Sequence, residues 1–414
     1  MLSASLHKTQ QRAFRSSCAG SARPMYYPKT VPQGLVWLLL GLCGGGTWPA
    51  LRQAIKSVDF EVFNLGFIVS MSGTGIALLS LLSLPPTRDP PPPPFGPGDW
   101  DGLWEALAWE AADSGASLWL ATCAGACVST SNVLLAAAMP LAGLTRALPV
   151  FNGCAIVVGV GMNYALEGNK RPATLVAGVG LILVAILLTF QSRHDAARMP
   201  AKAARGLLSA SNLQDLVHSK APSRDSLDSL LELAVKRGEA REDEPILVVD
   251  EPPPAETVAR GLALCAAAGA IDGCWSSLTC AAKLRGIDNY VTATFFCVGL
   301  LVPLLLVEAG ILLRDARGHA RKLRRLTPNQ LLVSLACGAL NIWGIVTYFM
   351  ATVQLSAAVA FAIFLSTPLV SISIGVGLFR ELDGKSAREK SLVATILLLY
   401  VAAIAILASN ALLQ

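Results

Sequence analysis

Apolar residues recur along this chain in long, nearly unbroken runs, not at the intervals of a half-buried surface helix. Ten runs of 19 to 25 residues stand out: 35–55, 62–84, 116–138, 141–164, 172–190, 258–282, 289–313, 330–352, 356–379 and 390–411. That length carries a helix across a bilayer, whereas the strands of a membrane barrel alternate over about ten residues. The pattern predicts an all-α integral membrane protein with ten transmembrane helices. The intervening segments hold most of the charge, which amounts to only 15% of the 414 residues.

The polar segments divide the chain. Residues 1–34 form a basic tail with five Lys/Arg and no Asp or Glu. Its composition fits a disordered tail or an organelle transit peptide. The plasma membrane is the expected location, with an organelle membrane as the alternative. A first block of five runs (35–190) is interrupted by LPPTRDPPPPPFGPG (84–98), a stiff polyproline spacer. Residues 100–113 follow, with Trp100, Leu103, Trp104 and Leu107 on one helical face, which predicts a helix lying in the membrane interface. A polar central segment, 191–257, precedes a second block of five runs, 258–411.

The two blocks match each other. GGTWPALRQAIK (45–56) aligns with DGCWSSLTCAAK (272–283), and VVGVGMNYALEG (157–168) with SIGVGLFRELDG (373–384). Five spans is an odd number, so the second block enters the membrane from the opposite side. Two inverted five-helix repeats are the plan of secondary transporters, whose solute site lies near the midplane between the halves. In the short connections, Lys/Arg number five on the side of the termini (Arg88, Lys170, Arg171, Lys283, Arg285). The other side has twelve: Arg52, Lys56, Arg314, Arg317, Arg321, Lys322, Arg324, Arg325, Arg380, Lys385, Arg388 and Lys390. The positive-inside rule then puts the central segment in the cytosol and both termini outside.

Candidate chemistry follows from residues that are unusual inside a span. Gly44, Gly45, Gly46 and Pro49 interrupt the first run, and Pro49 frees a backbone carbonyl one turn earlier. They predict either a hinge bordering a cavity, with Thr47 and Trp48 facing it, or a small-residue packing seam. In the second block Gly45 is replaced by Asp272, an ionisable group near mid-span. Such groups face a pathway or a partner, and a carboxyl whose charge is costly suits proton coupling. The competing reading is a structural Asp held by a nearby Ser or Thr. Arg146 is a candidate charge partner for Asp272 or an anionic solute, unless it snorkels to the interface. Glu308 suits an interfacial or paired role. Asn132, Asn152, Asn341, Trp343, Tyr348 and Gln354 are further candidates to line a cavity, and Ser129, Thr130 and Ser131 are too ordinary in a span to single out. All cysteines except Cys18 lie in the runs and no histidine does, which argues against a metal site. The absence of a Ser/His/Asp set or paired carboxylates argues against an enzyme. Gly384-Lys385-Ser386 lacks the upstream glycine of a phosphate loop, since position 379 is Phe, so ATP binding is unsupported.

The five-plus-five plan, the very short third-to-fourth links (MPLAG; QLSAA) and the acidic turn before the last run of each half resemble the drug/metabolite transporter superfamily. More narrowly, GTWPAL (46–51), DFEVFNLGF (59–67), VGMNYALEGN (160–169) and the long central segment are similar to the plant ureide permease family. The resemblance covers about 35–410. It implies proton-coupled import of allantoin, uracil and related oxo-heterocycles. The nucleotide-binding motif described for the central loop of that family is missing here, and the Pro-rich insert is a second departure.

The expectation is a secondary transporter of a small polar organic solute, with no cofactor beyond a proton gradient and no nucleic-acid partner; apart from the solute, its surroundings are membrane lipid. Trp48 and Trp275 would stack on a planar solute, Thr47, Asn341, Tyr348 and Gln354 would bond it, and Asp272 would carry the proton. One alternative is an exchanger of nucleotide sugars or phosphorylated metabolites. Another is a receptor or scaffold that does not transport and works through 191–257.

Overall fold

The computed structural model describes residues 27–53, 60–83, 107, 115–142, 144–168, 171–189, 255–378, 382 and 386–413. The spacer 84–98 and the central segment therefore lie outside the described residues. So does the interfacial helix 100–113, apart from Leu107, which packs on the core.

Ten helical segments among the described residues are long and apolar enough to cross a membrane, at the places the apolar runs predict. The helices are α1 (Val31–Gln53), α2 (Phe60–Leu82), α3 (Gly115–Ala142), α4 (Leu144–Glu167) and α5 (Pro172–Thr189). After the central segment come α6 (Ala255–Leu284), α7 (Asn289–Arg324), α8 (Pro328–Ala351), α9 (Ala357–Phe364), α10 (Pro368–Gly377) and α11 (Ala387–Leu412). Large apolar side chains face outward, among them Trp119 of α3, Leu187 of α5, Leu306 of α7 and Leu398 of α11, each more than three-fifths exposed. An outer surface of that kind suits lipid, not water.

Three elements differ from the apolar pattern. Helix α1 starts at Val31, inside the predicted tail, because the preceding residues dock on the bundle. There Tyr27 sets its ring edge-on to Tyr290 at 5.3 Å and donates its hydroxyl to Asp288. The ninth span is two helices: Leu365–Thr367 interrupt it, and Pro368, which lacks an N–H, opens α10. Helix α7 outruns its apolar stretch by eleven residues, to Arg324, with a break at Asp315. His319, outside the apolar runs, thus falls within the extended helix.

Polar residues at the helix starts set the ends. Asp288 accepts from the Tyr290 N–H at 2.8 Å to cap α7. Reciprocal capping boxes, Thr327 with Gln330 and Ser386 with Glu389, open α8 and α11. Gly168 and Gly286, with φ of 72° and 91°, end α4 and follow α6 in a conformation that favours glycine.

The bundle is interlocked. Helix α6 lies along α3 and α4, while α1 lies along α8 and crosses α9 and α10. Helix α7 packs on α3, α2 packs on α8, and α2 also meets α7, as α4 meets α9. Glycines let these axes approach. A Cβ on Gly125 of α3 would run into the Phe296 carbonyl of α7, and one on Gly299 would run into the Thr122 carbonyl. On the other side, a Cβ on Gly338 of α8 would strike the Phe67 carbonyl of α2, next to Ser70, whose hydroxyl donates to Leu335 O at 2.6 Å.

Gly125→Ala should therefore destabilise the bundle by about 1–3 kcal/mol through overpacking against backbone. Gly161→Ala on the open face of α4, where nothing lies within 4 Å, should be neutral or stabilising through helix propensity. Thermal unfolding of the two purified variants in detergent checks the contrast, and equal shifts would contradict the close-approach account.

Candidate functional site

Asp272 sits on α6 about 18 Å from Leu284 by helical rise, near the middle of the helix. Its side chain is buried, and Oδ1 accepts a hydrogen bond from Ser131 Oγ at 2.9 Å, across from α6 to α3. Ser131 also donates to Val128 O at 2.8 Å, so its one proton is shared between the carboxylate and its own helix. The carboxylate therefore has the serine partner that the sequence left open as an alternative. At the aligned place in the first half, Gly45 approaches Gly344 of α8, where a Cβ on Gly344 would lie 3.2 Å from Gly45 N. The acid–serine pair thus stands where the other half has two glycines.

Asp272, Ser276, Cys280 and Lys283 follow at spacings of four, four and three, so they share a face of α6 leading to the helix end. Ser276 accepts from Asn163 Nδ2 of α4 at 2.9 Å. The Cys280 thiol lies beside the carboxylate of Glu167, the last residue of α4. That carboxylate also accepts from the Ala357 N–H at 2.6 Å, at the first residue of α9. Ser356, at the cap position of α9, makes no side-chain cap, so Glu167 does that work from another helix. Lys283 Nζ donates to the Thr352 carbonyl in the link between α8 and α9. A cavity of about 10 Å³ lies here, bordered by Lys283, Asn289, Thr292, Tyr348 and Thr352, and has room for about one water.

The remaining predicted residues are placed as follows. Trp275 is 2% exposed and enclosed by the rings of Phe296, Tyr348, Phe349, Phe361 and Phe364, at 5.0 to 6.2 Å between centroids. It is a core residue in this conformation, as is Tyr348 beside it. Trp48 is half-buried against Phe67 at 4.9 Å. Thr47 donates back to Cys43 O at 2.6 Å. Helix α1 continues without interruption through Gly44–Gly46 and Pro49. Gly44 abuts Leu340 and Trp343 of α8, and Gly46 abuts Thr367 just before α10 and Val370 within it, contacts of the kind a packing seam makes. Asn341 points its amide at Met71 Sδ, 3.5 Å away. Gln354 holds the incoming tail by donating to Pro28 O at 2.8 Å, far along the bundle from Asp272. Arg146 lies in the first turn of α4, and its side chain is outside the described residues.

The structure thus brings Ser131, Asn163, Glu167, Ser276, Cys280 and Lys283 to the same face as Asp272, and sequence reasoning singled out none of these as site residues. Two signals were available. Lys283 aligns with Lys56 in the repeat, and Glu167 is the acid of the turn that closes α4.

No family model matches the chain, and no curated protein matches it. Among solved structures, a chain described as "Crystal structure of protein" is similar with a TM-score of 0.54 and 13% identity, over 91% of this chain and 96% of that one. At that identity the likeness shows the fold alone.

Ser131→Ala leaves the Asp272 carboxylate without its donor and should cost about 1–3 kcal/mol of stability. Trp275→Ala empties the aromatic nest and should cost about 3–5 kcal/mol. Unfolding midpoints in detergent test both, and a Trp275→Ala protein as stable as wild type would contradict its core role.

Proposed function

We propose that this chain is a secondary-active transporter that moves a small polar organic solute by alternating access between two inverted five-helix halves, with Asp272 carrying a coupling proton. The observation that carries the reading is the exchange of partners between the halves. The first helix of each half lies along the third helix of the other, α1 on α8 and α6 on α3. The second helices follow suit, α2 on α8 and α7 on α3. Individual contacts repeat with the helices. Gly125 meets the Phe296 carbonyl as Gly338 meets that of Phe67, and Trp48 packs on Phe67 as Trp275 packs on Phe296. A two-fold relation of this kind is what gives transporters two equivalent arrangements around a central site.

The symmetry is broken by Asp272 with Ser131, and by the polar face running to Glu167 and Lys283. In this reading, the hydrogen bonds of Glu167 to α9 and of Lys283 to the α8–α9 link would hold that end of the bundle shut. Buried polar atoms without a partner among the described residues, Asn163 Oδ1 and Ser277 Oγ, are groups that a hydrated alternative conformation would satisfy. The resemblance to the ureide permease family supports oxo-heterocycles such as uracil and allantoin as the first solutes to try. One observation favours a second reading, an exchanger of anionic metabolites: Lys283 places a basic group near the N-terminus of α9, where an anionic group is stabilised.

The test is uptake of labelled uracil and allantoin into proteoliposomes, with and without an inward proton gradient, for wild type and Asp272→Asn. The expected result is gradient-driven uptake that the variant loses while it still folds. Gradient-independent exchange of a phosphorylated sugar, with neither heterocycle taken up, would replace this reading by the second. Equal uptake by the variant would remove Asp272 from the mechanism.

A further inference from the structure

Residues 314–325 read RDARGHARKLRR, six cations and a single acid directly after the apolar run of α7. Composition alone makes them a determinant of orientation. The structure gives them a shape. Helix α7 breaks at Asp315, where φ is −152° and ψ is 69°. The Asp315 carboxylate then accepts from Gly318 N at 2.8 Å, capping a second short helical segment. In that segment His319 is 4% exposed, and its Nε2 lies 3.0 Å from Glu308 Oε2. On an unbroken helix those residues would be separated by a rise of about 16 Å, beyond the reach of both side chains. The chain therefore bends at Asp315, and His319 ties the short segment to the membrane end of α7.

The tie fixes which way the cations point. At about 100° per residue, Arg317, Arg321, Arg324 and Arg325 fall on one face, roughly opposite His319. All four are exposed. Just before the bend, Leu312 and Leu313 are 51% and 90% exposed, so the apolar surface of the span ends where the arginine face begins. In a bilayer that is the level at which acyl chains give way to headgroups. Guanidinium groups there match lipid phosphates in charge and in their paired-donor geometry.

We propose that the segment 316–325 is a binding surface for anionic phospholipid headgroups, aimed by the Asp315 cap and the contact between His319 and Glu308. The proposal rests on α7 spanning the membrane and is independent of whether the chain transports anything.

The test uses the purified full chain in neutral detergent with mixed phosphatidylglycerol and phosphatidylcholine, with bound lipid counted by native mass spectrometry. Phosphatidylglycerol should be retained over phosphatidylcholine, and the preference should shrink as salt is added. Arg317→Gln, Arg321→Gln, Arg324→Gln and Arg325→Gln together should lower phosphatidylglycerol retention at least about tenfold without moving the unfolding midpoint. His319→Ala keeps the arginines and should weaken retention through loss of aim. If the fourfold variant does not fold, Arg321→Gln and the salt titration of wild type read the same effect. Equal retention of the two lipids by wild type, or unchanged retention in the arginine variants, overturns the proposal. Inorganic phosphate displacing the lipid at equal concentration would also overturn it, by making the surface a site for free anions.

Discussion

Everything in this bundle depends on how closely its helices approach at glycine. Lipid tails are as apolar as leucine, so helices in a membrane gain nothing from hiding apolar surface from one another, and packing and hydrogen bonds must hold them. Here α3 meets α7, α8 meets α2 and α1 meets α8 with glycine facing backbone or small side chains. At such separations a short side chain can cross an interface. The Ser131 hydroxyl reaches the Asp272 carboxylate, and the Ser70 hydroxyl reaches the Leu335 carbonyl, because α3 and α8 lie so near their partners. A wider separation would strand Asp272 without a donor in a medium that offers none.

Under the alternating access proposed above, these same seams are where the halves would move. A seam of glycine and carbonyl has no long interlocking side chains to disengage. The end near residue 27 is held by polar groups: Glu167 on the α9 backbone, Lys283 on Thr352, and Tyr27 on Asp288. Each is one or two hydrogen bonds, worth about 1–3 kcal/mol when charged, which binding of the proposed solute would have to offset. The break between α9 and α10 at Pro368 supplies a joint in the helix that Glu167 caps.

Much of this was legible in the apolar pattern, because span length is set by bilayer thickness and not by neighbours. The ten spans lie where the runs place them. The pattern was less informative where local chemistry overrides hydropathy: Pro368 divides a continuous apolar run, Asp315 caps a segment beyond one, and Tyr27 docks residues that read as tail. Asp272 was readable as a buried acid from its position alone. Its partner was not, since serine is common in spans and only tertiary contact distinguishes Ser131 from Ser129. Trp275 looks the same in sequence whether it lines a cavity or fills a core, and here it fills it. The glycines of α1 fitted either a hinge or a seam, and in this conformation they abut α8 and the start of α10. Glu167 and Lys283 stood near span ends, where charged residues are ordinary, so their inward contacts left little trace in the pattern.

The proposed alternating access requires the halves to part at the end held by Glu167 and α9. The direct measurement is transport of whichever heterocycle is taken up, in a Cys280→Ser background carrying Glu167→Cys and Ala357→Cys, before and after joining the pair with a short cleavable thiol cross-linker. The account predicts that the cross-link arrests uptake and that cleaving it restores the rate. Uptake continuing unchanged with the link in place would show that this end need not open, and would contradict the account.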